Sequence, residues 1–117
     1  MRPTEDPVAY AFSHTDAKKI IYALASSPEP YESLRNEFEA SSEAFHRTTR
    51  KLAQFDILRF RAPRVSEFEG SRVRVVLELS PRGKDLANVL RKLDDVIRRN
   101  QELVGKQTKR LLLEGLD

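Results

Sequence analysis

The chain contains no cysteine, so disulfides, iron–sulfur clusters and thiolate zinc sites are excluded. Only two histidines are present, His14 and His46, too few and too scattered for a histidine-based metal site or a catalytic relay. The four glycines stand apart at 70, 83, 105 and 115, so no glycine-rich loop is available to cradle a phosphate. No apolar run approaches the roughly 20 residues that a membrane span requires. Residues 1–12 lack the basic start and long apolar centre of a secretory signal. Acidic side chains are plentiful but form neither a catalytic pair nor a calcium loop. These absences lead to the expectation of a cytoplasmic, non-enzymatic protein with no cofactor, no metal and no membrane partner. The sequence identifies no small-molecule effector.

What is present is charge, unevenly distributed. Of 117 residues, 33% are charged and 39% hydrophobic, for a formal net charge of +3. Residues 1–40 hold four basic and seven acidic side chains, whereas residues 41–64 hold six basic and two acidic. A positive middle section suits a polyanionic partner, and nucleic acid is the commonest one. The competing reading of the same charge is a solvated, arginine-rich surface.

Periodicity supplies the element order. Pro3 and Pro7 precede a short apolar stretch, and Ser13 is the expected cap of a helix over 14–26, with apolar residues at Ala17, Ile20, Ile21, Leu24 and Ala25. Pro28 and Pro30 end it. A second helix is expected over 31–39, with Tyr31, Leu34 and Phe38 on one face. Ser41 or Ser42 then caps a third helix to about Phe55, whose inner stripe is Phe45, Thr49, Leu52 and Ala53. The period then changes to two. Leu58, Phe60 and Ala62 alternate with Arg59, Arg61 and Pro63, and in a second run Val73, Val75, Leu77 and Leu79 face one way and Arg72, Arg74, Val76 and Glu78 the other, the two runs forming a β-hairpin around Glu69-Gly70-Ser71. Ser80-Pro81 opens a final helix reaching about Glu114, roughly 50 Å long at 1.5 Å per residue.

The expected fold is therefore mainly α with a small β-hairpin (α+β). An arm spans 1–12, a winged helix-turn-helix unit spans 13–80, and a dimerisation helix spans 81–117. With Phe45, Thr49 and Leu52 turned inward, the third helix presents Ser42, Glu43, His46, Arg47, Arg50 and, at its edge, Lys51. A B-form major groove admits such a helix, and arginine contacts guanine through two parallel hydrogen bonds. Ser42 and His46 suit bases or phosphates. Glu43 suits a cytosine amino group or complements the helix dipole. The hairpin adds Arg59, Arg61, Arg64, Arg72 and Arg74, a basic ribbon fit to follow a phosphate backbone or to dip an arginine into the minor groove. Phe68 near its tip suits either a wedge or satellite packing.

Two stretches carry a resemblance. Thr49-Arg-Lys-Leu52-Ala-Gln-Phe55-Asp-Ile57-Leu58 resembles the end of the recognition helix in winged-helix regulators. Leu79-Ser80-Pro81-Arg82-Gly83 resembles their junction between wing and last helix. The nearest groups are MarR, PadR and HxlR, together with small archaeal winged-helix proteins, over about residues 14–95. The chain departs from the pattern at Asp56, where glycine is frequent, and at Thr49, where leucine is usual. The resemblance implies a homodimeric transcription regulator that binds a roughly palindromic duplex.

The last helix supports self-association independently. Leu86, Leu90, Leu93, Ile97, Asn100, Val104, Gln107 and Leu111 sustain a 3.5-residue period, with Asn100 and Gln107 as polar interruptions of the kind that fix register. Residues 90 to 111 of that series form the expected dimer seam, in a pairing direction the sequence leaves open. Two further functions fit the same residues: an architectural protein that coats DNA with little sequence preference, and a winged-helix module that binds protein.

Overall fold

A computed structural model describes residues 6–67 and 74–114, with only the backbone of the last helix given from Val104 onward. Five helices, α1 (Pro7–Ser13), α2 (Thr15–Ser26), α3 (Tyr31–Asn36), α4 (Ser42–Gln54) and α5 (Pro81–Glu114), accompany three short strands, β1 (Glu29–Pro30), β2 (Leu58–Arg61) and β3 (Val76–Leu79). By packing, the chain divides into residues 1–87 and 88–117.

In the first unit, α2 packs on α1, α4 and β3. The core comprises Ala17, Ile20, Ile21 and Leu24 of α2, Leu34 of α3, Phe45 and Leu52 of α4, then Ile57, Leu58, Val76, Leu77, Leu79 and Leu86, all buried. The expected helix at 14–26 forms, but Ser13 does not cap it. Ser13 Oγ instead donates back to the Ala9 carbonyl, because the preceding apolar segment is itself a helix. Asp6 accepts from the Val8 amide at 2.9 Å and Pro7 occupies the first turn, together starting α1. His14 joins the two helices: its backbone N–H donates to Tyr10 and its Nδ1 accepts from the Ala17 amide at 3.2 Å.

The sheet is antiparallel in the order β1-β3-β2, with Leu58 opposite Leu79 and Arg61 opposite Val76. The third strand escaped the sequence pattern because it is two residues long and holds Pro30. Proline lacks the N–H a central strand needs but is tolerated at an edge. The ladder continues through the Tyr31 amide, which donates to the Val75 carbonyl at 3.0 Å. β3, as the central strand, is buried on both faces at Val76 and Leu77, so the expected alternation fails there. Val75 lies outside the strand and is exposed. Phe60 and Ala62, which share the two-residue period of the buried Leu58, are also exposed. Ala62 follows the end of β2, and Phe60 turns towards Tyr31, with ring centroids 6.4 Å apart.

The turn from α4 into β2 passes through Asp56 at φ 59°, the left-handed region that disfavours side chains with a Cβ. This accounts for the frequency of glycine at the matching place in the resembling regulators. Asp56→Gly is expected to raise stability by about 0.5–1 kcal/mol. The Arg59 contact it removes is an exposed one at 3.8 Å that contributes little. Thermal melting of the variant checks this, and a lowered midpoint would refute it.

The second unit is the remainder of α5. Leu90 is fully buried and Leu93 half-buried, whereas Val89, Val96, Ile97, Asn100 and Leu103 are exposed. Of the expected seam, the side chains of Val104, Gln107 and Leu111 lie outside the described residues. No helix among the described residues is long and apolar enough to cross a membrane.

Candidate nucleic-acid interface

α4 is strongly two-sided. Ser41 caps it, its Oγ accepting from the Ala44 amide at 3.1 Å. Phe45, Thr48, Thr49 and Leu52 are buried, with Thr48 replacing the expected Ala53, which is only half-buried. Two buried threonines are tolerated because each hydroxyl is satisfied within the helix. Thr48 donates to the Ala44 carbonyl at 2.9 Å, and Thr49 to the His46 carbonyl at 3.0 Å. Phe45 is held between the rings of Tyr31 and Phe38, each 5.3 Å away. Phe38 keeps this contact although α3 ends at Asn36, before the expected Glu39.

This packing fixes the rotation of α4 and leaves Ser42, Glu43, His46, Arg47 and Arg50 exposed, as expected. Glu43, His46, Arg47, Arg50, Lys51 and Gln54 line one shallow concavity of about 560 Å³. Neither Arg47 nor Arg50 lies within ion-pair distance of a carboxylate among the described residues, and the cations Arg47, Arg50 and Lys51 outnumber the single carboxylate, Glu43, on that face. Two of the expected residues are partly committed elsewhere. Lys51 Nζ stands over the rings of Tyr10 and Phe55, at 5.5 and 5.9 Å. The Tyr31 hydroxyl lies 3.4 Å from His46 Nδ1, and burial leads the causes that raise the tyrosine pKa.

The hairpin residues separate into two groups. Arg59, Arg64 and Arg74 are exposed, and Arg72, like Phe68, lies outside the described residues. Arg61 differs from them. Its guanidinium makes two hydrogen bonds to Glu67, at 2.7 and 2.9 Å, and its Nε lies 3.0 Å from Glu78, leaving the side chain 17% exposed. Glu67 also accepts from the Arg64 amide at 2.7 Å. The chain folds back after Pro63 through a short 3-10 turn at Val65–Glu67, which brings the carboxylate to Arg61. The sequence signal for this pairing was the glutamate just beyond the proline. It was obscured by reading every hairpin arginine as outward.

These contacts push the Arg61 pKa up, and the paired guanidinium holds the Glu67 carboxyl down at about 2. A depressed carboxyl pKa stabilises the folded state above its unfolded value of 4.5, and that contribution disappears as pH falls through about 2. The loop around Glu67 is therefore expected to stay tied from neutral pH to about pH 4.5 and to loosen towards pH 2. Carboxyl-carbon NMR of Glu67 checks this. A midpoint near 4.5 would show the pair to be absent in solution.

A further residue missed by sequence reading, Arg35, lies on α3. Arg35 reaches across the turn to α4, its Nε and Nη2 donating to Ser42 Oγ at 3.2 and 3.0 Å, and its Nη1 to the Phe38 carbonyl at 3.4 Å. A basic residue in the last turn of the helix before the turn was the available signal.

Among the described residues, no cluster of histidine, aspartate or glutamate is arranged to hold a metal ion. No family profile and no curated protein sequence matches the chain. Solved structures do. A protein assigned as the transcriptional regulator ytfH, from Salmonella typhimurium, matches with a TM-score of 0.62 at 18% identity, over 86% of this chain and 88% of its own. ZitR from Lactococcus lactis, in a doubly substituted form, matches with 0.61 at 14%, over 87% and 69%. The adhesin competence repressor AdcR from Streptococcus pyogenes matches with 0.58 at 16%, over 85% and 73%. With α3 and α4 as the helix-turn-helix, β2 and β3 as the wing and α5 following, the chain has the winged helix-turn-helix fold of these regulators.

Proposed function

We propose that the chain is a transcription regulator that binds duplex DNA sequence-specifically as a homodimer. One observation carries the reading: α4 presents Arg47 and Arg50 side by side, exposed and without a carboxylate partner among the described residues, on a face whose rotation is fixed by buried Phe45 and Leu52. Glu43 stands one turn before Arg47 at the spacing that favours an ion pair, yet the two make none, and Arg50 has no acidic residue three or four positions away on the helix. Set into a major groove, they contact base edges, while His46, Glu43 and Lys51 flank them. Arg59, Arg64, Arg72 and Arg74 meet phosphates along the wing. Arg61 takes a different role from its neighbours: locked to Glu67 and Glu78, it braces the wing from within.

Self-association is supported by the exposed apolar residues of α5. Val96, Ile97 and Leu103 are 47%, 39% and 57% exposed, a stripe that water disfavours and a second copy covers. The seam runs from Leu93 through Ile97, Asn100, Val104, Gln107 and Leu111. Leu90, already buried within one chain, adds little to it. A two-fold dimer reads two half-sites about one helical turn, or a multiple of it, apart.

In-vitro selection of bound duplexes, with sedimentation of the free protein, tests the proposal. The expected result is a dimer that enriches an inverted repeat and binds less tightly as salt rises, by about 0.9 log units of affinity per log unit of salt for each neutralised phosphate. Binding with no enriched sequence would favour a DNA-coating role. A monomer that shifts no duplex at low salt would overturn the reading.

A further inference from the structure

Arg35 and Ser42 form a unit on the groove side of the turn between α3 and α4. Ser42 is exposed, yet its oxygen is occupied: it accepts from Nε and Nη2 of one guanidinium at 3.2 and 3.0 Å. A serine hydroxyl has two acceptor lone pairs and one hydrogen. With both lone pairs engaged, only the O–H is left to offer, and it meets no acceptor among the described residues. Arg35 in turn has no carboxylate within ion-pair distance among them. Its third contact is the neutral carbonyl of Phe38, at 3.4 Å. The hydroxyl of exposed Ser42 is thus left to donate to a group outside the chain, beside a guanidinium that makes no ion pair among the described residues.

We infer that Arg35 is a positioning residue that turns Ser42 into a donor-only contact for a phosphate oxygen of the DNA backbone. Base edges in the major groove mix donors and acceptors, so a group restricted to donating suits an acceptor present at every step. Ser42 thereby sets the register of α4 on the duplex without reading sequence, and the discrimination falls to Arg47 and Arg50. The inference rests on the proposed function, since it concerns the same face of α4.

The test measures affinity for the duplex selected by the wild-type protein and for random duplex across a salt series. The variants are Ser42→Ala, Ser42→Thr, Arg35→Ala, Arg35→Lys and the double alanine. Ser42→Ala is expected to weaken both duplexes about tenfold, the worth of one hydrogen bond to a charged group, leaving their ratio and the salt slope unchanged. Ser42→Thr, which keeps the hydroxyl, stays near wild type. Arg35→Ala and Arg35→Lys, which both lose the fork, each match Ser42→Ala with an unchanged slope, and the double variant is no weaker than either single one. A changed ratio in Ser42→Ala would make Ser42 a base reader and overturn the inference. So would wild-type binding by Arg35→Lys, or a slope lowered by about 0.9 in Arg35→Ala, because the guanidinium would then itself neutralise a phosphate. Ser42 is exposed, so its variants report even if changes at Arg35 loosen the turn. Failure of the wild-type protein to bind any duplex would overturn the underlying reading as well, and is distinguishable because no variant effect is then needed.

Discussion

Replacing Gly83 by alanine is expected to destabilise the protein by at least about 3 kcal/mol and to lower its melting temperature by roughly 10–20 °C. Gly83 lies in the first turn of α5, where intrinsic propensity favours alanine over glycine by about 1 kcal/mol. Sterics reverse that sign. A Cβ at this position would stand 2.0 Å from the Ile57 carbonyl oxygen and 3.2 Å from a Leu79 methyl carbon. The carbonyl is not free to retreat. It accepts the Ser80 amide at 3.0 Å and the Ser80 hydroxyl at 3.1 Å, while Ser80 Oγ accepts the Gly83 amide at 2.9 Å. Withdrawing Ile57 would break these bonds and disturb the turn that joins α4 to β2. Gly105 is the control: a Cβ there meets nothing within 4 Å, so Gly105→Ala should gain about 1 kcal/mol from propensity alone. Equal melting temperatures for the two alanine variants would contradict the packing described.

The second large effect concerns discrimination. Arg47→Ala and Arg50→Ala are each expected to lower the preference for a selected duplex over random DNA by about tenfold or more, since a bidentate arginine–guanine contact contributes about 1–3 kcal/mol of discrimination. Arg64→Ala and Arg74→Ala should weaken both duplexes equally and reduce the salt slope by about 0.9 each. All four side chains lie on the exposed surface, so folding should be unaffected. If the two pairs behave alike, the division between reading helix and holding wing fails. Arg61→Ala should differ from all four: it leaves Glu67 and Glu78 without their shared cation, and loosens the wing before any DNA is present.

Much of this was legible in the residues. The outward face of α4 followed from the spacing of Phe45, Thr49 and Leu52, because burial of one helical stripe determines the opposite one. Ser80-Pro81 announced α5, and the structure adds that Ser80 also joins the helix to the Asp56–Ile57 turn. Other features depend on contacts that no local pattern encodes. The capping role of His14 required knowing that α1 precedes it. The paired burial of Val76 and Leu77 required a third strand, and β1 is too short to show any period. The partners of Arg61 and Arg35 lie across turns, so charge counting placed Arg61 with its neighbours and passed over Arg35. Where a single helix or its cap decided the outcome, sequence sufficed; where two elements had to meet, it did not.

The most direct check of the central claim is backbone amide NMR of the free protein titrated with duplex DNA at low salt. The predicted result is a set of shifted amides concentrated at 42–51 and in the wing about Arg59, Arg64 and Arg74, with the buried α2 residues Ile20 and Ile21 little affected. Shifts centred on another surface, with Arg47 and Arg50 unmoved, would contradict the account.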